Sequence, residues 1–206
     1  FLPQVPEALY ARQIGEEGSN VIAYLKDDNN NGFTLVLTAN GGIDAPSESN
    51  LLFGAKDTDN AWNANVKSVD LTNFRTDNAT TLAFLFNGSK SLETITGIEH
   101  LNTTQVQDLT AAFQYCAALT NLDLSSWKTD NVTSVSNMFF QTTQLQTVTG
   151  MDTWNMPKLT EARALFAYSG ITKVDLSNWN PTELRDFTHV FNGCSNLTEV
   201  KIENWE

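Results

Sequence analysis

Basic residues, histidine and cysteine are scarce in this sequence. Its 206 residues include 12 Lys and Arg against 24 Asp and Glu, so the formal net charge is -12. Such a chain repels phosphate backbones and anionic lipid headgroups, and we expect no nucleic-acid partner. Long hydrophobic runs are also missing, because none approaches the roughly 18 apolar residues that a membrane-spanning helix needs. We therefore expect no direct insertion into a membrane.

The motifs of common catalytic and cofactor sites are absent as well. The chain has no glycine-rich phosphate loop, no G-x-S-x-G motif and no Cys/His cluster with metal-ligand spacing. Asp70, Asp123 and Asp175 recur at a regular spacing that resembles a paired acid site, but their phase predicts a solvent-facing position without an enclosed pocket. We expect neither enzymatic activity nor a cofactor.

What the sequence does contain is an internal repeat of 26 or 27 residues. The units start at Val66, Leu92, Leu119, Leu145, Ile171 and, for a truncated sixth unit, Leu197. Eight apolar positions coincide between units. In the third unit they are Leu119, Leu122, Leu124, Trp127, Val132, Val135, Met138 and Phe139. This agreement indicates that residues 62–206 form one repeat region.

Each unit shows two hydrophobic periods. The alternating residues 122–124 are typical of a short strand, and apolar residues at helical spacing after them predict a helix. Pro157 and Pro181 fall where this helix would begin, which suits a residue with fixed φ and no N–H donor. Gly97 and Gly150, which are extra glycines in alternate units, predict local bulges.

Stacked units of this kind bury their apolar faces in one continuous core. The sequence therefore predicts an α/β leucine-rich-repeat solenoid over residues 62–206, with short parallel strands on one face and helices on the other. Residues 1–61 do not fit the repeat and are predicted to form an amino-terminal β-containing cap. Apolar runs at 21–25 and 33–37 predict a β-hairpin in this cap, and 47–56 a short helix.

One inward position carries unusually large side chains. Leucine-rich repeats normally have Asn or Cys where the chain leaves the strand. Here the position is occupied by Phe74, Leu101, Trp127, Trp154, Trp179 and Trp205. We predict a buried ladder that seals this corner. The candidates to bond the backbone there are Ser125, Ser126, Ser177 and Asn178.

Cys116 and Cys194 occupy the same repeat position, three units apart. At a strand spacing of about 4.8 Å they would lie roughly 14 Å from each other, beyond the reach of a disulfide. We therefore predict two free, buried thiols.

Residues 27–32, with the sequence DDNNNG, match the opening of a calcium-binding loop. Asp27, Asn29 and Asn31 would supply its oxygen ligands. The twelfth position of the motif is Thr38 rather than Glu, and an ordinary Asn/Gly hairpin turn explains the run as well. We expect no metal site, and these three residues are the one calcium candidate.

The units LTNLDLSSWKTDNVTSVSNMFFQTTQ and ITKVDLSNWNPTELRDFTHVFNGCSN carry a resemblance to a known family. They resemble the BspA-like leucine-rich repeats of bacterial surface proteins, over about residues 62–206. The resemblance implies a secreted, extracellular repeat region at the cell surface that adheres to other molecules. It implies no catalytic residues, and the anchor would lie outside this sequence. We expect a monomer.

The outward strand positions vary from unit to unit, whereas the core positions do not. They are Ser68, Asp70, Thr94, Thr96, Asn121, Asp123, Thr147, Thr149, Lys173, Asp175, Glu199 and Lys201. A varied polar surface held on a sheet favours a binding face, and the resemblance favours adhesion to a host or matrix protein or glycan. The alternative is a structural spacer that presents another domain at the cell surface, because a spacer needs only solubility at these positions.

Overall fold

The computed structural model describes residues 8–13, 22–27, 33–38, 43–45, 52–54 and 65–203. The repeat units stack as a solenoid, as predicted, and parallel β pairing joins equivalent positions of neighbouring units. The division of the chain at residue 62 remains a prediction. The short helix expected at 47–56 lies outside the described residues except for 52–54, which form a bend.

The amino-terminal strands form a sheet that continues into the first repeat unit. Strands β1 (Ala8–Gln13), β2 (Ile22–Asp27) and β3 (Phe33–Thr38) are antiparallel neighbours, and β3 pairs in parallel with β5 (Val66–Asp70). The β2–β3 hairpin thus covers the edge that β5 would otherwise expose. A smaller parallel pair joins β4 (Ile43–Asp44) to β6 (Phe74–Arg75).

Short strands line one face of the stack. The sheet pairs β5 with β7 (Thr94–Thr96), β8 (Asn121–Asp123) with β9 (Thr147–Thr149), and β10 (Lys173–Asp175) with β11 (Glu199–Lys201). All three pairs are parallel. Within the described residues no β pairing joins β7 to β8 or β9 to β10, so this face is divided into three pieces.

The prediction of helices on the other face is wrong. In their place the chain forms consecutive turns, here called the turn ladder, at 81–88, 108–115, 134–141, 161–168 and 186–193. Parallel bridges connect the first residue of each segment to the next. Hydrogen bonds within a unit, such as Leu85 N–H to the Leu82 carbonyl, span three residues. Inward side chains therefore recur every three or four positions, as they would in a helix. The protein is a β-solenoid with almost no helix.

Every second N–H of the turn ladder is donated to the next unit. At the first interface the donors are Leu82, Phe84, Phe86 and Gly88, and the acceptors are the carbonyls of Asp108, Thr110, Ala112 and Gln114, at 2.7–2.9 Å. The three following interfaces repeat these four bonds. Two residues in each segment have φ between 52° and 79°, in the left-handed region that a right-handed helix never uses. Pro157 and Pro181 lie before the ladder and start no helix.

Gly97 and Gly150 do not form the predicted bulges. Both have left-handed φ, at 80° and 93°, and each precedes a one-turn 3-10 helix, at Ile98–His100 and Met151–Thr153. A Cβ on Gly97 would lie 2.5 Å from the Thr72 nitrogen. Glycine is needed here because the chain passes directly over the corner of the preceding unit.

A ladder of stacked phenylalanine rings runs through the core behind the turn ladder. Its members are Phe86, Phe113, Phe139, Phe166 and Phe191, with ring centroids 5.3–5.8 Å apart. Phe53, which precedes the repeats, adds a ring 5.5 Å from Phe86 and donates its N–H to the Leu85 carbonyl. The residues before the repeats therefore extend the core by one position.

The predicted tryptophan ladder is confirmed for its described members. Trp127, Trp154 and Trp179 are buried and stack with centroids 6.5 and 5.8 Å apart. Phe74 and Leu101, which hold the same position in the first two units, are buried as well. Trp205 lies outside the described residues.

Both cysteines are free thiols, as predicted. Cys116 is buried and donates to the Phe86 carbonyl at 3.3 Å, and its burial raises the pKa of the thiol. Cys194 is only half-buried, although its thiol contacts the Phe166 carbonyl at 2.9 Å. The prediction of full burial is therefore wrong for Cys194, because it directly follows the last described segment of the turn ladder, where no further unit covers it among the described residues.

Candidate binding face

The predicted binding face, here called the sheet face, consists of the outward residues of the short strands. Strand pairing places Ser68 beside Thr94, Asp70 beside Thr96, Asn121 beside Thr147, Asp123 beside Thr149, Lys173 beside Glu199, and Asp175 beside Lys201. All twelve side chains are exposed or half-exposed. The structure thus brings them together as three groups of four, separated by the two breaks in the sheet.

Charge is concentrated at the carboxy-terminal group. Lys173 pairs with Glu199 at 3.0 Å, and Lys201 pairs with Asp175 at 3.4 Å. The hydrogen bond and positive charge of Lys173 lower the pKa of Glu199. The other two groups carry hydroxyl, amide and aspartate side chains, so a ligand along the stack would meet a polar surface first and a charged surface last.

The aspartates of the sheet face stabilise the corners that follow β5, β8 and β10, in the first, third and fifth units. Asp123 accepts hydrogen bonds from the N–H and the Oγ of Ser125, and these bonds lower the pKa of its carboxyl. Asp175 accepts the same two bonds from Ser177, and its pKa is lowered too. Asp70 does so with Thr72. Two of the three serines predicted to bond the backbone, Ser125 and Ser177, therefore serve as donors to the preceding aspartate.

Asn178 does bond the backbone, because its Nδ2 donates to the Asp152 carbonyl. The tryptophans supply a further set of bonds that the sequence did not indicate. Each indole N–H donates to a carbonyl of the preceding unit, from Trp127 to Ile98 at 3.4 Å and from Trp179 to Met151 at 3.0 Å. The ring thus fills the corner and also satisfies its backbone, which is the task of Asn in the common repeat. A buried indole usually needs a hydrogen-bond acceptor, so the predicted burial of these tryptophans could have indicated these bonds from the sequence.

The break between β9 and β10 forms a shallow, open groove of about 420 Å³ on the sheet face. Thr147 and Thr149 of β9 and Lys173 and Asp175 of β10 line it, together with Asp152. The groove joins the polar and the charged parts of the face, and it is wide open to solvent.

Only one of the three residues of the calcium candidate is among the described residues. Asn29 and Asn31 lie outside them, and Asp27 is the last residue of β2, described by its backbone alone. The calcium question therefore stays a prediction. In the part of the chain that the structure describes, no three His, Cys, Asp or Glu side chains are grouped to hold a metal ion.

Stacked parallel strands, a turn ladder and stacked rings define the protein as a solenoid repeat protein. The family model described as "Mycoplasma protein of unknown function, DUF285" matches residues 56–170 and again 146–206. These two matches cover the repeat region, and the chain belongs to this family. No curated protein and no solved structure shows a significant match. Among the described residues, no helix is long and apolar enough to cross a bilayer.

Proposed function

We propose that this chain is a non-catalytic extracellular binding module of a bacterial surface protein of the BspA-like kind. It would be displayed at the cell surface and adhere to a host or matrix protein or glycan through the sheet face. The observation that carries the proposal is the contrast between that face and the core. The outward residues change from each unit to the next, whereas the stacked phenylalanine rings of the core repeat without interruption.

Rigidity supports this proposal. The inward residues of β5, β7, β8, β9 and β10 pack into or against the core, and the turn ladder ties each unit to the next by four backbone hydrogen bonds. Side chains on such a support lose little conformational entropy when a ligand orders them. A fixed support with a variable polar surface is the arrangement that repeat proteins use for recognition.

The alternative is a structural spacer, and one observation favours it. Asp123 and Asp175 on the sheet face already accept hydrogen bonds from their own corners, and Lys173 and Lys201 already have acidic partners. Part of the polar surface is therefore satisfied within the chain. A spacer needs only a polar, soluble surface, and these contacts within the chain are compatible with one that binds no ligand.

The test changes the sheet face without touching the corners. In the double variant Thr147→Lys/Thr149→Lys, two exposed threonines beside the groove become lysines, whereas the capping aspartates stay. The control is Thr143→Lys/Gln144→Lys, which makes the same charge change at exposed positions at the end of the third unit, shortly before the same strand. Binding of the native chain and both variants is measured on a panel of immobilised matrix proteins and glycans.

We expect a ligand on the panel to bind the native chain and the control variant, and to lose affinity for the sheet-face variant. No binding to any member of a broad panel would favour the spacer. Equal binding by all three proteins, with unchanged thermal stability, would place the contact outside the sheet face.

A further inference from the structure

Three aromatic side chains lie on the surface of the turn ladder, away from the sheet face. Tyr115 and Phe140 are half-buried, and Tyr168 is 47% exposed. Their rings contact edge to face, at 5.6 Å between Tyr115 and Phe140 and 5.8 Å between Phe140 and Tyr168. These three residues, here called the aromatic row, span three consecutive units.

The fold does not require aromatic residues at these positions. The ladder hydrogen bonds align Tyr115 and Tyr168 with Gly88, Gln141 and Gly193, and they align Phe140 with Gln114, Ala167 and Asn192. Tyr115 and Tyr168 also have left-handed φ, at 62° and 59°, where glycine is better tolerated than any residue with a Cβ. Two of the five ladder segments use glycine there. Tyrosine is thus the less stable choice for the backbone at both positions.

The surroundings of the aromatic row are neutral and able to form hydrogen bonds. Gln114 precedes Tyr115, Gln141 follows Phe140, and the Asn192 amide donates to the Tyr168 hydroxyl at 3.3 Å. Gly193 leaves room for the Tyr168 ring, because a Cβ there would lie 2.4 Å from Cδ1. Hydroxyl and amide groups beside aromatic rings suit a ligand that presents apolar patches together with hydroxyl groups.

We propose that the aromatic row is a subsite for a neutral oligosaccharide. This inference rests on the proposed function as a binding module and gives that module a second contact surface. The small size of the aromatic row and the net charge of the chain indicate this class of ligand. A stable protein partner typically buries about 800 Å² on each side, contributed by about 20–30 residues, which three rings in a line do not provide. The net charge of -12 disfavours acidic glycans and leaves neutral ones.

The variants for the test are taken from the chain itself. Tyr115→Gly/Tyr168→Gly copies Gly88 and Gly193, Tyr115→Gln/Tyr168→Gln copies Gln141, and Phe140→Gln copies Gln114. Each replacement already occurs at the same ladder position of another unit. Thermal unfolding of every variant is recorded first. Should one replacement fail to fold, the other two still remove rings from the aromatic row.

Affinity is then measured by calorimetry with linear oligosaccharides of glucose and of N-acetylglucosamine, and with heparin oligosaccharides as the acidic comparison. We expect a neutral oligosaccharide to bind the native chain, and each folded variant to raise its Kd by at least about tenfold. The sheet-face variant Thr147→Lys/Thr149→Lys should bind this oligosaccharide as the native chain does.

The inference fails if no neutral oligosaccharide binds, if heparin binds better, or if the ring variants bind unchanged. A protein ligand from the panel that loses affinity in the ring variants, with no glycan binding, also overturns it. If only the sheet-face variant loses a ligand, the proposed function stands without the aromatic row. If no probe binds any of the proteins, both proposals fail.

Discussion

At the scale of single residues, the corner tryptophans combine packing with hydrogen bonding. Trp179 is fully buried, stacks 5.8 Å from Trp154 and donates its indole N–H to the Met151 carbonyl at 3.0 Å. Trp179→Ala removes both contributions and should cost about 3–5 kcal/mol of unfolding free energy. Trp179→Phe keeps an aromatic ring but removes the indole donor, so that the Met151 carbonyl retains only the Trp154 N–H, and it should cost about 0.5–1.5 kcal/mol.

Urea denaturation of the two variants separates these contributions. If Trp179→Phe were as stable as the native chain, the indole hydrogen bond would contribute nothing and the corner would depend on packing alone.

Two capping aspartates give the protein a pH-dependent stability. Hydrogen bonds from Ser125 and Ser177 lower the folded-state pKa of Asp123 and Asp175 below the unfolded value. This stabilisation is fully present above the unfolded pKa of about 3.9, and it is lost as the pH falls through the lower folded values. Below about pH 4 the Tm of the native chain should therefore fall more steeply than that of Asp123→Asn/Asp175→Asn.

Both carboxylates are exposed, so the effect should be modest. Calorimetric scans across the acid range measure it. Parallel Tm curves for the native chain and the double variant would show that these hydrogen bonds do not stabilise the ionised aspartates.

The sequence allowed the inward residues to be predicted but not their polar partners. All eight apolar positions of the third unit are buried, because burial is the property that hydrophobic spacing reports. The acceptor of the Trp127 indole is the Ile98 carbonyl, so this hydrogen bond depends on where the preceding unit's backbone lies. That information is absent from a single repeat.

At the scale of elements, the turn ladder contains two adjacent alanines with different backbone conformations. Ala111 has φ of 55°, whereas Ala112 lies outside the left-handed region, and both are buried. Ala111→Gly loses a buried methyl but relieves a left-handed alanine, so its stability should change by less than about 0.5 kcal/mol. Ala112→Gly has no strain to relieve and should lose about 1.5 kcal/mol.

Because these neighbours share size and burial, each variant serves as the control for the other in chemical denaturation. Equal losses would mean that the left-handed conformation of Ala111 carries no strain.

The same ladder explains why a helix was predicted in each unit. Turns closed by bonds over three residues place apolar side chains inward at the spacing of Val132, Val135, Met138 and Phe139, which a helix also produces. The turn ladder differs from a helix in its residues with left-handed φ, and glycine occupies such ladder positions only at Gly88 and Gly193. The other left-handed positions hold Tyr, Gln, Asn, Ala, His and Phe. The residue types at these positions therefore do not indicate the left-handed conformation.

At the scale of the whole molecule, the solenoid could be predicted because the repeat period survives in every unit. The division of the sheet into three pieces could not. It accompanies the 3-10 helices that follow Gly97 and Gly150, and these depend on contact with the corner of the preceding unit. The outward strand positions could therefore be predicted, but the groove between β9 and β10 could not.

The turn ladder also gives the stack a polarity. Its peptide dipoles point the same way along the long axis and add together, instead of alternating as they do in a sheet. One end of the ladder is consequently rich in donors and the other in acceptors, so two copies could join only through unlike ends. At the acceptor end the Leu85 carbonyl already receives the Phe53 N–H. A second copy that stacked on this end of the described ladder would have to displace this hydrogen bond.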